Sequence, residues 1–202
     1  MKKMLLVSML QHSADLVKRV EPDLAGKVVT YIPTASIAEE IEGIVEEETK
    51  ILNGLGLEVD VLEISAASRQ KIKESLTKDD LIFVSGGNTF FLLQELRETG
   101  ADQILTDQIN NGKLYIGESA GAVVMCPDIG YCAEIDSVEK APDLKDYAGL
   151  NLVDFYLVPH IDNEGMGPGA KRITEKYGDK MELKVLRDDQ AVWIEGSEIT
   201  IL

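Results

Sequence analysis

Gly117-Glu118-Ser119-Ala120-Gly121 follows the apolar run Lys113–Ile116, and a helix-compatible segment, Ala122–Met125, comes next. A serine hydroxyl is a weak nucleophile until a base removes its proton and donors stabilise the oxyanion that forms. A Gly-x-Ser-x-Gly turn between a strand and a helix supplies the position. Glycines relieve crowding around a strained bend, the serine stands at the strand tip, and the helix N-terminus points its amides at the developing charge. The N–H of Ala120 is then one oxyanion donor. Taken alone, the pentapeptide fits equally well a serine that merely caps a helix.

A base and a second donor are also present. The chain has two histidines. His160 follows the run Phe155–Pro159, and Pro159 restricts the backbone at that strand end. His12 follows the first apolar run and fits either a site-lining residue or a residue near a helix start. His160 is the better general base, because an imidazole must lie within hydrogen-bond reach of the hydroxyl it deprotonates. In Val84–Leu93, "VSGGNTFFLL", Gly86-Gly87 between a strand and a helix lets the backbone approach a substrate, so Gly87 N–H is the second donor. Asn88, next in line, is a substrate-binding candidate. Glu118, beside the serine, either binds a substrate amine or disfavours an acidic group nearby. Neither GxGxxG nor GxxxxGK[ST] occurs, so dinucleotide and P-loop chemistry are unsupported.

The elements that must position these residues are legible as short apolar runs: 4–10, 27–33, 57–64, 80–86, 113–117 and 154–160. Runs without polar alternation are typical of parallel strands covered on both faces. Between them lie helical patterns. In Ser36–Gly56, Ile37, Ile41, Ile44, Val45, Ile51 and Leu52 share one face, with glutamates opposite and Gly54 or Gly56 as the stop. Asn88–Gly100 and Ala101–Gly112 each end in glycine as well. Alternating strands and helices imply a doubly wound α/β fold with a mostly parallel sheet. The tail, Glu182–Leu202, reads as three short antiparallel strands with turns at Arg187-Asp188-Asp189 and Glu195-Gly196-Ser197. Ligands bind such sheets outside the carboxyl ends of the strands, where Ser119, His160, His12, Asn88 and the Asp188-Asp189 turn all fall.

Composition narrows the partners. Residues 1–202 are enough for one domain with a sizeable core, and 45% hydrophobic with 28% charged residues is an ordinary globular balance. A net charge of −16 repels nucleic acid and anionic membranes, so neither is an expected partner. Two cysteines without a CxxC pair or a Cys/His cluster give no disulfide framework and no metal site, which fits a reducing cytoplasm. The opening "MLLVSML" is too short for a signal segment and reads as a first strand, and no apolar run approaches the roughly 20 residues of a membrane helix.

Together, "FVSGGNTFFLL", "LYIGESAGAVVMCPDI" and "LNLVDFYLVPH" resemble the dipeptidase E (aspartyl dipeptidase) family of serine peptidases, whose wider group includes cyanophycinase. The pieces stand in that family's order, and the resemblance covers nearly the whole chain. It implies a flavodoxin-like sheet related to class I glutamine amidotransferase domains, no cofactor, and a Ser-His-Glu triad. Ser119 and His160 match the first two members. The third falls in Leu186–Gln190, where Asp188 aligns and is one methylene shorter than Glu; Asp189 is the fallback, and Glu134 and Asp136 are further site carboxylates. The resemblance also implies a small peptide substrate cleaved after an N-terminal aspartate, and hence a cation near its side chain: Arg172, with Lys171 and Arg187 as other candidates. The glycine-rich segment after His160 suggests a mobile rim. Two other readings share the fold: the same triad acting on another amide or a modified aspartyl peptide, and a non-catalytic binding domain.

Overall fold

The computed structural model describes residues 1–40 and 42–202. The chain opens with β1 (Lys3–Val7) and α1 (Leu10–Val20), then β2 (Val28–Ile32), α2 (Ile44–Gly54), β3 (Glu58–Val61), α3 (Arg69–Lys78) and β4 (Leu81–Val84). It continues through α4 (Thr89–Thr99), α5 (Ala101–Asn110), β5 (Leu114–Glu118) and the short α6 (Ala120–Val123). The last elements are β6 (Tyr156–Val158), α7 (Gly167–Tyr177), β7 (Leu183–Val185), β8 (Ala191–Glu195) and β9 (Glu198–Ile201).

The central sheet has the order β3-β2-β4-β5-β1-β8-β9. Its first five strands run parallel, and β8 and β9 are added antiparallel to β1 and to each other. This is the doubly wound, mostly parallel sheet that the alternating pattern predicts. β1, β4 and β5 read as unbroken apolar runs because consecutive side chains enter two different cores. Met4, Leu6, Ile82, Val84 and Tyr115 face the side covered by α3 to α7. Leu5, Val7, Leu81, Phe83 and Ile116 face α1 and α2. These three strands occupy the middle of the sheet, so their carboxyl ends open side by side.

Two sequence expectations are corrected. The first concerns the tail: β7 does not join an antiparallel meander but pairs in parallel with β6 in a separate two-stranded sheet. Parallel neighbours need a crossover, and α7 supplies it, making β6-α7-β7 a βαβ unit. The second concerns Ser36–Gly56, where helix α2 begins only at Ile44. Thr34–Glu39 form a 3-10 turn, Glu40 is left-handed, and Gly43 at φ 76 resets the chain, leaving Ile37 46% exposed. Ile41 lies outside the described residues. No helix among the described residues is long and apolar enough to cross a membrane.

The elements flanking the central strands are locally encoded. Asn88 caps α4, its side chain accepting the Phe91 N–H at 3.0 Å, and Gly100 at φ 75 ends it. Phe83 is fully buried, its ring 5.2 Å from that of Tyr31. Phe83→Ala should therefore cost about 3–5 kcal/mol, because the aromatic volume cannot be refilled. The check is a lowered urea midpoint with an unchanged denaturant slope.

Candidate active site

Ser119 stands at the tip of β5 with φ 47 and ψ −108, a conformation a non-glycine residue adopts only under constraint. The constraint is visible around it. Ser119 N–H donates to Val7 O at 3.1 Å, and its carbonyl accepts from Ala122 and Val123 N–H at 2.9 Å, starting α6 within one residue of the strand. α6 can pack there because Gly121 lies against β4: a Cβ on Gly121 would come within 2.2 Å of Val84 O. The elbow expected of Gly-x-Ser-x-Gly is thus built by close backbone packing.

Behind the serine, His160 Nε2 lies 2.9 Å from Ser119 Oγ, and His160 Nδ1 lies 2.6 Å from Asp188 Oδ1. With Nδ1–H donating to the carboxylate, Nε2 carries the lone pair that faces the hydroxyl. Asp188 reaches the imidazole despite being shorter than Glu. The turn after β7 brings its backbone in, with Asp188 N–H donating to Asp162 Oδ1 at 2.9 Å, and Asn163 Nδ2 donates to Asp188 Oδ2 at 2.7 Å. Burial alone would raise the Asp188 pKa, but hydrogen bonds from Asn163, His160 and Ser8 and the nearby imidazole hold it below the ordinary value.

The structure adds a residue that the sequence reading passed over. Ser8 Oγ accepts the His160 N–H at 2.9 Å and donates to Asp188 Oδ1 at 3.1 Å. It pins His160 in a left-handed backbone, φ 67, and supports the carboxylate at the same time. Ending the first strand at Val7 rather than at residue 10 would have placed Ser8 just beyond a strand carboxyl end. Asn163 and Asp162 were hidden in the segment after His160. There Asn163 Oδ1 also accepts from Gly165 and Met166 N–H, at 2.9 and 3.1 Å, tying that rim down.

In front of the serine, the N–H groups of Gly87 and Ala120 have no acceptor among the described residues. Gly87 sits at φ 137, and a Cβ there would come within 2.2 Å of the Ala35 carbonyl, so only glycine fits this approach. Gly86, Gly87, Ser119 and His160 line a cleft of about 600 Å³ together with Met9, Val123, Ile135 and Met166. Its ionisable lining is acidic: Glu39, Glu118 and Asp136. Burial and then the charge of Glu39 raise the Asp136 pKa against the Thr89 N–H that it accepts at 2.9 Å.

Several predicted site residues stand elsewhere. Arg172 does not line the cleft; its guanidinium donates to Glu134 Oε2 at 3.3 Å and to Glu134 O at 2.6 Å, leaving the side chain 55% exposed. Glu134, also paired with Lys176, is thereby removed as a site carboxylate. Asn88 is fully buried and spends its amide on Glu39 Oε1 and Ser137 O, a structural cap rather than a substrate contact. Asp189 pairs with Arg187 at the surface, and His12 is exposed on α1. Lys171 is exposed on α7. Glu118 lines the cleft, but its Oε1 already accepts the Leu10 N–H at 2.7 Å.

Comparison with known proteins places this geometry among relatives. The model of peptidase family S51 matches residues 4–202. The uncharacterized peptidase Lmo0363 of Listeria monocytogenes is 44% identical over 98% of this chain and 97% of its own length. Peptidase E of Salmonella arizonae is 32% identical over 83% of this chain and 72% of its own. A crystal structure described as a candidate peptidase E protein from Listeria monocytogenes EGD-e superposes with a TM-score of 0.95 at 43% identity, covering 100% of this chain and 98% of that one. The flavodoxin-like, glutamine amidotransferase-like fold follows from that match.

Two outcomes test the site as built. Because the folded Asp188 pKa is depressed, its contribution to stability is present above the ordinary carboxylate range and lost as pH falls through the folded value. Asp188→Asn should therefore be less stable than wild type near neutrality, the gap closing in acid, as read from melting temperatures across a pH series. Arg172→Ala, which removes an exposed ion pair, should cost under about 1 kcal/mol in the same assay.

Proposed function

The chain belongs to peptidase family S51, and from that premise we propose that it is a serine-type exopeptidase that cleaves short peptides through an acyl-enzyme on Ser119. The observation that carries this reading is the hydrogen-bonded chain Ser119-His160-Asp188 opening on a cleft with two unengaged backbone amides. His160 Nε2 takes the hydroxyl proton as Ser119 Oγ attacks the scissile carbonyl. Asp188 holds the ring and stabilises its charged form. The oxyanion of the tetrahedral intermediate settles between Gly87 and Ala120 N–H, each donor of this kind contributing about 3 kcal/mol to the transition state. The imidazolium then protonates the leaving amine, and water repeats the sequence to release the acyl group.

A cleft of about 600 Å³ suits a few residues rather than a folded protein. Its charge favours an exopeptidase: Glu39 and Asp136 offer carboxylates to a free N-terminal ammonium. The preference for N-terminal aspartate in dipeptides, implied by the resemblance, needs a cation beside that side chain. Among the described residues lining the cleft there is no Lys or Arg, and Arg172 is held by Glu134. The favoured first residue is accordingly neutral or basic, in keeping with the acidic lining and the apolar Met9, Ile135 and Met166.

The test is a dipeptide panel, Asp-X, Glu-X, Ala-X, Leu-X and Lys-X. Ser119→Ala should lower hydrolysis by about 10⁴-fold or more with an unchanged melting curve. Wild-type-like turnover in that variant would remove Ser119 as nucleophile. Cleavage confined to Asp-X would overturn the neutral or basic preference and bring Arg172 into the cleft during binding.

A further inference from the structure

A second buried carboxyl lies behind the nucleophile and has no role in the mechanism above. Glu48 on α2 is 5% exposed and Glu118, the residue before Ser119, is 8% exposed. Glu48 Oε2 accepts from the Tyr31 hydroxyl, and Glu48 Oε1 accepts from Ser85 Oγ at 3.2 Å. Glu118 Oε1 accepts from Leu10 N–H at 2.7 Å. Glu118 Oε2 is left buried with no hydrogen-bond partner, and it lies against the Ser85-Gly86 segment that holds Glu48: a Cβ on Gly86 would stand 3.8 Å from it. Two ionised carboxylates buried around the same segment, without a Lys, Arg or His bound to either among the described residues, would repel strongly. One proton between them removes the repulsion and supplies the donor that Glu118 Oε2 lacks.

We propose that Glu48 and Glu118 hold one proton between them, and that this makes Glu118 a positioning residue that locks the elbow to the brace on His160 and Asp188. The connection is short. Glu118 is covalently next to Ser119, and its Oε1 fixes Leu10 at the start of α1. Two residues earlier, Ser8 holds the His160 backbone and the Asp188 carboxylate. Losing the proton sets Glu118 against Glu48 and loosens both ends of this link together. The reading draws on Ser119 as the nucleophile but goes beyond it.

The protonation fits the surroundings. Burial, then the charge of Glu118, push the Glu48 pKa well above the carboxylate range. Burial and Glu48 likewise push the Tyr31 hydroxyl far up, so it remains a donor. The groups facing the pair are Tyr31 from β2, Ser85 from the loop after β4 and the Leu10 amide from α1; the other ionisable groups of the cleft are Glu39, Cys132, Asp136 and His160. Since the folded Glu48 pKa is raised, the pair is intact at neutral pH and fails as pH rises through that value.

The experiment is the rate of Ser119 labelling by a fluorophosphonate against pH, which needs no known substrate, paired with a titration of ¹³C-labelled glutamate carboxyls. Wild-type labelling should rise from acid toward neutral pH and then slow on the alkaline side. Glu48→Gln, whose amide donates to Glu118 at every pH, should keep its rate where wild type slows. Glu48→Ala, lacking any donor, should label about 100-fold more slowly at neutral pH, the scale expected of a small misplacement of the reacting groups. One glutamate carboxyl should stay protonated at neutral pH in wild type, and its signal should vanish in Glu48→Gln. An alkaline slowing equal in wild type and Glu48→Gln, or no protonated glutamate at neutral pH, would overturn the proposal. Should Glu48→Gln not fold, the wild-type titration decides alone. Absence of labelling in wild type at any pH would instead dismiss the Ser119 nucleophile, and the titration would still report on the shared proton.

Discussion

The contact on which the active region depends is backbone against backbone: the Cα of Gly121 on the carbonyl of Val84. With no side chain at 121, α6 seats directly on β4 and begins with only Ser119 between it and β5. That leaves Ser119 no relaxed conformation, and its φ of 47 follows from the seating. Strain of this kind, on the order of 1–3 kcal/mol, persists only when the surrounding structure over-determines it. Here the surroundings are the buried middle of the sheet, where β1, β4 and β5 are fixed by side chains entering both cores.

A site held by three neighbouring strands still needs its base from outside that sheet. His160 follows β6 and Asp188 follows β7, the two strands of the small parallel sheet, so base and orienting carboxylate are carried by one unit. Ser8, at the end of β1, joins that unit to the central sheet by hydrogen bonds to both residues. Pairing β7 with β6 rather than with β8 is what brings a carboxylate only as long as aspartate within 2.6 Å of the imidazole. Electrostatics then divides the surroundings. The carboxylate that orients the imidazole is surrounded by donors, which hold its pKa down, whereas burial and Glu39 raise that of the cleft carboxyl of Asp136.

Much of this was written locally in the chain. Unbroken apolar runs separated by helical patterns disclose a covered parallel sheet, and Gly-x-Ser-x-Gly after such a run discloses the elbow, because both signals depend on residues adjacent in sequence. With two histidines, and one of them just past a strand, the base was nearly fixed as well. Asp188 could be aligned through a resemblance, but its reach to the ring could not be derived, since that distance depends on the pairing of β6 with β7. Arg172 shows the opposite case. Its position after the histidine suggested a substrate cation, and the fold gave it a nearer acid, Glu134, on a loop 38 residues away.

The sequence by itself determined the α/β architecture, the strained serine turn, the glycine pair facing it and the imidazole that serves it. Each rests on short-range sterics or on hydrophobic periodicity, which neighbouring residues specify. Tertiary structure decided which carboxylate orients the imidazole, that Ser8 braces it, that the cleft is lined by acids rather than by Arg172, and that Glu48 and Glu118 are both buried behind the nucleophile. These are contacts between residues 25 to 180 positions apart, as in Asn163 to Asp188 and Ser8 to Asp188. A one-dimensional pattern carries residue types but not the distances that choose among several acids and cations of the same charge.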